Sequence, residues 1–429
     1  MIRASVHQLA LLRRATSFRL IFLARLTSAT GTFLAAIALQ IDVFDRTGSG
    51  TWISALLIAE FLPTVAIGLL LGPLLDRWPR KRVLVASDLA NFGAFALLPF
   101  ASSPGQIVAL ALVSGVANGF FRPIVYAGLP NLVEKEDLES ANSLLQTVEN
   151  LAMLVGPPLG ALIVAATSPD VTYALNAATF LVSAAFVLGV AGDRLQSEWA
   201  VSEGHWRDLA AGFAVVRRSA ALFTVLVTWN IVMLTVAGVN VGSIVLAKDA
   251  LGAGDVGFGV LVAGAGLGLV VGGFVSGPAV RVAGLAAAYA GGIALLGLGA
   301  VAAAVSPSIW MASACAAVFG VGNGVAVACN FLLVARGAPD QLRGRAVSVL
   351  MSLGSVTLFA GMAAAGQLTD AVGARWVWGG AGAIALVAAV VGFWLARRVP
   401  EEAPVEAPVE LPPLAPPPVA VPAPSREEP

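Results

Sequence analysis

Six ionisable side chains stand inside apolar stretches of this 429-residue chain: Arg25, Asp42, Glu60, Asp88, Arg122 and Glu149. Charge in a hydrocarbon environment is costly and marks a cavity, a relay or an ion pair. Four of the six are carboxylates, the groups that can take up and release a proton. Glu60 is the deepest. It lies about nine residues inside its apolar run, close to mid-depth at about 1.5 Å per residue. A medium of low dielectric disfavours carboxylate charge, which makes Glu60 the first proton-carrier candidate. Asp42 lies near one edge. Asp88 and Glu149 lie toward the other, where Arg25 and Arg122 can snorkel or pair with them. The second half carries no comparably deep charge. It offers Trp229, Asn230, Asn240, Asn323, Asn330 and Gln367 as neutral contacts, and the first half adds Asn176. Arg25, Arg122, Asn176, Trp229, Asn230 and Asn323 are the candidates to line a substrate cavity.

Other chemistries find little support. His7 and His205 stand in polar segments, and no nucleophile–base constellation accompanies them, so no enzyme is expected. Cys315 and Cys329 would lie about 21 Å apart on one helix, too far for a disulfide, and no metal site or cofactor is expected. No phosphate-binding Gly-x-x-x-x-Gly-Lys-Ser/Thr loop occurs. The formal net charge is +0, so nucleic acid is not expected as a partner.

The elements that hold these groups are membrane spans. The chain is 58% hydrophobic and 12% charged, against about 25% charged in a soluble domain. Apolar runs near residues 18–44, 52–75, 83–102, 106–128, 140–166 and 172–192 give six candidate helices. Runs near 220–246, 256–279, 283–305, 308–334, 346–369 and 376–396 give six more. Each can cross about 30 Å of hydrocarbon. Basic loop residues sort to one side: Arg77, Arg80, Lys81, Arg82, Lys135, Arg194, Arg207, Arg217, Arg218, Arg281, Arg336, Arg343 and Arg345. The other side keeps Arg46, Lys248 and Arg375. That bias places both termini in the cytoplasm and the chain in the cytoplasmic membrane. The polar stretch 193–219 reads as an amphipathic linker. The tail 397–429 alternates Pro with Ala, Val and Glu, a pattern that cannot build a core.

The two sets of runs repeat. Gly72-Pro73 recurs as Gly277-Pro278, Gly115-Val116-Ala117-Asn118-Gly119 as Gly320-Val321-Gly322-Asn323-Gly324, and Gly156 as Gly361, each 205 residues further on. A constant offset over separated markers argues for a duplicated bundle. The expected fold is therefore an all-α polytopic membrane protein of twelve helices, in two pseudo-symmetric six-helix bundles over 1–192 and 220–396.

After the second run the chain reads Gly72-Pro73-Leu74-Leu75-Asp76-Arg77-Trp78-Pro79-Arg80-Lys81-Arg82. This resembles the cytoplasmic loop signature of the major facilitator superfamily, with Pro79 where the family usually has Gly. Leu138-Glu139-Ser140-Ala141-Asn142-Ser143-Leu144, Val155-Gly156-Pro157-Pro158-Leu159-Gly160 and Pro339-Asp340-Gln341-Leu342-Arg343-Gly344-Arg345 are similar to the branch of macrolide-efflux proteins and enterobactin exporters. The resemblance implies a secondary transporter. Gly72, Asp76, Arg77 and Arg80 would form a gating loop, and the position of Asp76 in the second half is Arg281, so the latch would be one-sided. Gly156, Pro157 and Gly160 resemble part of an exporter signature. The stripe Gly264, Gly268, Gly272 offers small-residue packing, expected to meet that signature across the halves. Many family members carry an acid after the glycine of the first helix, whereas here Gly31 is followed by Thr32. The implied function is proton-coupled export of amphipathic small molecules. The partners would be the bilayer, a small amphipathic substrate and protons, and a monomer is expected. A lipid or lysophospholipid transporter of the same fold, or a transport-inactive scaffold or sensor, remains as an alternative.

Overall fold

The computed structural model describes residue 8, residues 10–70, 78–191, 195 and 213–399. Gly72, Asp76 and Arg77 of the expected gating loop lie outside them. So do His7, His205, most of the linker and the tail from residue 400.

Among the described residues there are twelve helices long and apolar enough to cross a membrane. The first six are α1 (Thr16–Thr47), α2 (Gly50–Leu70), α3 (Arg80–Leu97), α4 (Pro104–Gly128), α5 (Leu138–Ala166) and α6 (Pro169–Leu188). The second six are α7 (Ala220–Val245), α8 (Gly254–Ala283), α9 (Leu285–Ala304), α10 (Ile309–Gly337), α11 (Asp340–Val372) and α12 (Ala374–Ala396). One π turn, Leu246–Ala250, extends α7. Of the linker, residues 213–218 are helical and Val216 is buried.

The 205-residue offset persists in the backbone. α3 and α9 start at Arg80 and Leu285, α4 and α10 at Pro104 and Ile309, α6 and α12 at Pro169 and Ala374. The caps repeat as well. Ser103 accepts from the Gln106 amide to start α4, and Ser308 accepts from the Met311 amide to start α10. Each cap satisfies an amide that the helix itself leaves free. The spans then pack mostly within their own half, α1 against α5 and α6, and α8 against α10.

We call the face from which α1 enters the near face and the opposite one the far face. The halves are tied at the far face. The Asp370 carboxylate, near the end of α11, accepts from the Ser49 hydroxyl at 2.7 Å and from the Gly50 and Thr51 amides at 2.5 and 3.1 Å. This anion sits on the N-terminus of α2, where helix amides are unsatisfied and the dipole is positive. One turn deeper, Ser54 donates to the Met362 carbonyl at 2.6 Å. Lys248 pairs with Asp45 of the first half and Asp255 of the second. Toward the near face α5 and α8 part. Pro158 and Ala161 still touch Gly259, but nearer that face a cleft of about 500 Å³ opens between Thr147, Leu151 and Leu154 on α5 and Leu269, Val270 and Phe274 on α8.

The expected glycine pairing is corrected here. Gly264, Gly268 and Gly272 do not face α5. An added Cβ would overlap the backbone of Ser313, Ala317 and Val321 on α10, within the second half. Gly156 and Gly160 press likewise on Phe33 and Leu34 of α1. The α5–α8 contact uses the other side of α8, Gly259 and Gly266. Small residues permit close approach on any face that carries them, and α8 carries them on two.

Candidate functional site

The near half of the first bundle gathers the buried charge. Glu149 of α5 is held by two arginines. Arg25 of α1 donates to its Oε1 through Nε and Nη2 at 3.1 and 3.0 Å, and Arg122 of α4 lies 3.2 Å from Oε2. The Arg25 guanidinium also stands over the Phe121 ring at 5.9 Å, and that of Arg122 over the Tyr126 ring at 5.7 Å. Asp88 of α3 is fully buried. Its Oδ2 accepts from the Ser183 hydroxyl of α6 at 2.7 Å, and its Oδ1 has no partner. Three helices thus meet in the Arg25–Glu149–Arg122 cluster, and α3 and α6 meet separately through Asp88 and Ser183. The Arg122 side chain is 54% exposed while Glu149 is 11% exposed. The pairing with Glu149 directs this guanidinium toward a neighbouring helix of the bundle, as a charge inside a span requires.

The other acids stand apart. Asp42 pairs with Arg46 one turn along at 2.7 Å and accepts from the Tyr173 hydroxyl of α6 at 3.0 Å. Both of its oxygens are therefore engaged. Glu60 lies ten residues into α2, about 15 Å from the far-face end. Its Oε2 is buried without a hydrogen-bond partner, and no cation pairs with it among the described residues. Its backbone packs on Gly115 of α4, where a Cβ would meet the Glu60 carbonyl oxygen at 2.6 Å. Arg80, the described member of the gating loop, is buried. It donates to the Ala127 and Leu195 carbonyls at 3.1 and 2.9 Å, which ties α3 to the end of α4.

The neutral candidates divide. Asn176 is fully buried and packs on Gly31 of α1, with Thr179 donating to its Oδ1 at 3.1 Å. It stands in a helix–helix seam. Trp229 and Asn230 instead line a pocket of about 70 Å³ among α7, α10 and α11, together with Leu226, Asn330, Phe331 and Met351. The Asn230 amide is used locally. It donates to the Leu226 carbonyl at 2.7 Å and accepts from Thr357 at 2.6 Å. Asn323 and Asn330, seven residues apart on one face of α10, each keep a buried Oδ1 without a partner. Asn118, the counterpart of Asn323 in the first half, is bonded to Asn91 and Ser114 at 3.3 Å.

The sequence reading named every charge of the cluster but missed Tyr126 and Ser183. Tyrosine and serine are ordinary in membrane helices, and only their facing partners distinguish them. The pocket residue Phe331 had a usable signal: Tyr126 of the charged cluster lies 205 residues before it.

Two long matches to the profile of the Major Facilitator Superfamily cover residues 21–246 and 230–425. The chain belongs to the Major Facilitator Superfamily. Macrolide efflux protein A of Streptococcus pyogenes is 25% identical over 205 residues, which is 46% of this chain and 50% of that protein. The chain thus matches about half the length of that relative. Multidrug efflux pump Tap of Mycobacterium tuberculosis (strain ATCC 25618 / H37Rv) is 28% identical over 380 residues, 84% of this chain and 88% of that one. Among solved structures, the nucleoside transporter NupG aligns at TM-score 0.71 and 14% identity, covering 89% of this chain and 99% of that one. A bacterial homologue of the iron transporter ferroportin, in an inward-facing state, aligns at 0.70 and 17%, with the same coverage. At those identities the structures speak to the fold alone. This superfamily member is an integral membrane transporter.

Proposed function

We propose that the protein is a proton-driven exporter of amphipathic small molecules that works by alternating access. The observation that carries the proton is Glu60. Glu149 has two guanidiniums and Asp42 one, but Glu60 has neither a cation nor a partner for its buried Oε2. A carboxylate without a counter-ion at mid-span gains most from a proton. It also stands on α2, the helix that Asp370 and Met362 tie to the second half. Loading and unloading Glu60 would therefore bear on the contact between the halves.

With both termini in the cytoplasm, the near face is cytoplasmic and the open cleft is the entry. Its walls, Leu151, Leu154, Leu269, Val270 and Phe274, suit an apolar body. Outward turnover would break the Asp370, Ser54 and Lys248 contacts and bring α5 and α8 together. The similarity to two efflux proteins supports the outward direction. The test is an efflux panel in cells lacking their own pumps. Energy-dependent extrusion that an uncoupler abolishes supports the reading. Extrusion indifferent to the uncoupler contradicts the proton as driver.

The lateral position of the same cleft favours a second reading. A gap between α5 and α8 with apolar walls admits molecules from within the bilayer, as a lipid or lysophospholipid transporter needs. Movement of a labelled lysophospholipid between leaflets of reconstituted vesicles, with no extrusion of water-soluble dyes, would select it.

A further inference from the structure

The near face of the second half is almost free of acid. Between Asp255 and Glu401 the chain holds two acids, Asp340 and Asp370, and Asp370 belongs to the far face. Six exposed arginines stand on the near face: Arg217 and Arg218 ahead of α7, Arg281 near the end of α8, Arg336 at the end of α10, and Arg397 and Arg398 just past α12. None forms an ion pair with another described side chain. The first half is built differently. There Lys135 stands among Glu134, Glu136 and Glu139, and Arg14 pairs with Asp137. Basic residues fix the orientation of a membrane chain, and acids contribute little to it. Orientation therefore does not require a face stripped of acid.

The six positions adjoin. Gly337 packs on Ser219 and Leu222, which sets Arg336 beside Arg217 and Arg218. Gly392 of α12 packs on Thr228 of α7, and α9, which starts four residues after Arg281, packs on α12. The Arg397 guanidinium lies over the Phe393 and Trp394 rings at 5.3 and 6.0 Å. Stacking uses the flat face of the cation and leaves its N–H edge to carboxylates.

We propose that this basic face binds the chain's own acidic segment, residues 401–410. Charge is the first argument. Glu401, Glu402, Glu406 and Glu410 are the first acids after α12, and no base stands among residues 399–410. Reach is the second. Val399 packs against the core at the near face, so the segment starts beside the arginines. A Pro-rich chain spans about 3.1 Å per residue, which lets Glu406 reach about 22 Å from Val399 and Glu410 about 34 Å. Packed helix axes lie about 8–10 Å apart, so the near ends of α7, α8 and α10 fall within that reach. A single exposed ion pair is weak. Several carboxylates on one short tether act together, at an effective concentration on the order of millimolar. The arginines all stand on the second half, so the bound segment travels with that half and leaves the passage between the halves clear.

The test is competition by a free copy of the segment. A fluorescein-labelled peptide of residues 400–411 is titrated into full-length protein in phosphatidylcholine nanodiscs at low salt. In the unmodified protein the attached segment already holds the face. The full chain carrying Glu401→Gln, Glu402→Gln, Glu406→Gln and Glu410→Gln vacates it, and should bind the peptide at least tenfold more tightly. That gain should vanish at high salt, where exposed charges are screened, and when Arg397→Gln and Arg398→Gln are added. Equal binding by the unmodified chain and the four-Glu variant, binding indifferent to salt, or no binding to either would each overturn the proposal. If the arginine variant does not fold, the comparison of the unmodified chain with the four-Glu variant decides alone. Nanodiscs containing phosphatidylglycerol separate the two sources of negative charge. A tenfold difference that persists there supports the attached segment. Its loss would show that anionic headgroups cover the face, and would overturn the proposal.

Discussion

The two halves share a backbone plan and differ in what they bury. The first half holds Arg25, Asp42, Glu60, Asp88, Arg122 and Glu149. The second has Asn230, Ala247, Ala265, Ile293, Val327 and Gly354 at the same offset. Asp42 anchors Tyr173, whose counterpart Trp378 fills its position as a buried ring alone. The repeat gives equivalent positions in the two halves, and at these pairs only the first-half members are ionisable. An asymmetric pair suits a coupled machine, because a proton and an amphipathic molecule demand opposite environments. One needs ionisable groups set in low dielectric. The other needs apolar surface with few fixed polar atoms.

The comparison breaks most severely at Glu149. Glu149→Ala would leave Arg25 and Arg122 without their shared anion, at a cost of about 3–5 kcal/mol. Thermal unfolding of the purified protein should show a large loss. The twin substitution, Gly354→Ala, meets only Met233 and Trp229 at 3.8 and 3.9 Å, and should be neutral or stabilise by about 0.5–1 kcal/mol. Equal effects in the two halves would mean that the charges carry no structural weight.

Gly268→Leu comes next. It drives a side chain into the α10 backbone and should cost about 1–3 kcal/mol by overpacking. The expected reading is loss of folded protein on size-exclusion chromatography, since the clash lies within one half. Good yield with blocked transport would instead return this glycine to the α5–α8 contact. Asp370→Asn is milder. It removes the anion from the N-terminus of α2, worth about 0.5 kcal/mol, and should raise far-face labelling of a cysteine placed at Ser54 about twofold. Unchanged labelling would mean that the tie contributes nothing to closure. Deleting residues 400–429 should leave flux as it was. Absence of flux both with and without the tail would favour the scaffold or sensor reading.

Much of the fold was legible. Spans, their number and their duplication follow from hydropathy and from a constant offset, and α4, α6 and α12 begin within three residues of the expected starts. The site was legible by residue type and depth. Arg25, Arg122 and Glu149 were expected on one side and do meet, because three charges in one apolar layer have few other partners. Asp88 was placed on the same side, within reach of the arginines, and takes its hydrogen bond from Ser183. Facing was the illegible part. A glycine stripe shows that some backbone approaches closely, not which one, and so Gly264, Gly268 and Gly272 were assigned to the wrong neighbour. Sequence likewise could not show that Asn118 is satisfied while its twin Asn323 is not.

The assignment of the proton to the first half is tested most directly at Glu60. Glu60→Gln keeps the shape of the side chain and fixes it neutral. Purified unmodified and variant proteins are reconstituted into vesicles, and a transported dye is followed with and without an imposed pH gradient. The account predicts that Glu60→Gln still binds and exchanges the dye down its gradient but loses pH-driven accumulation. Accumulation that survives in Glu60→Gln would contradict it and move the proton to Asp88, Glu149 or Asp42.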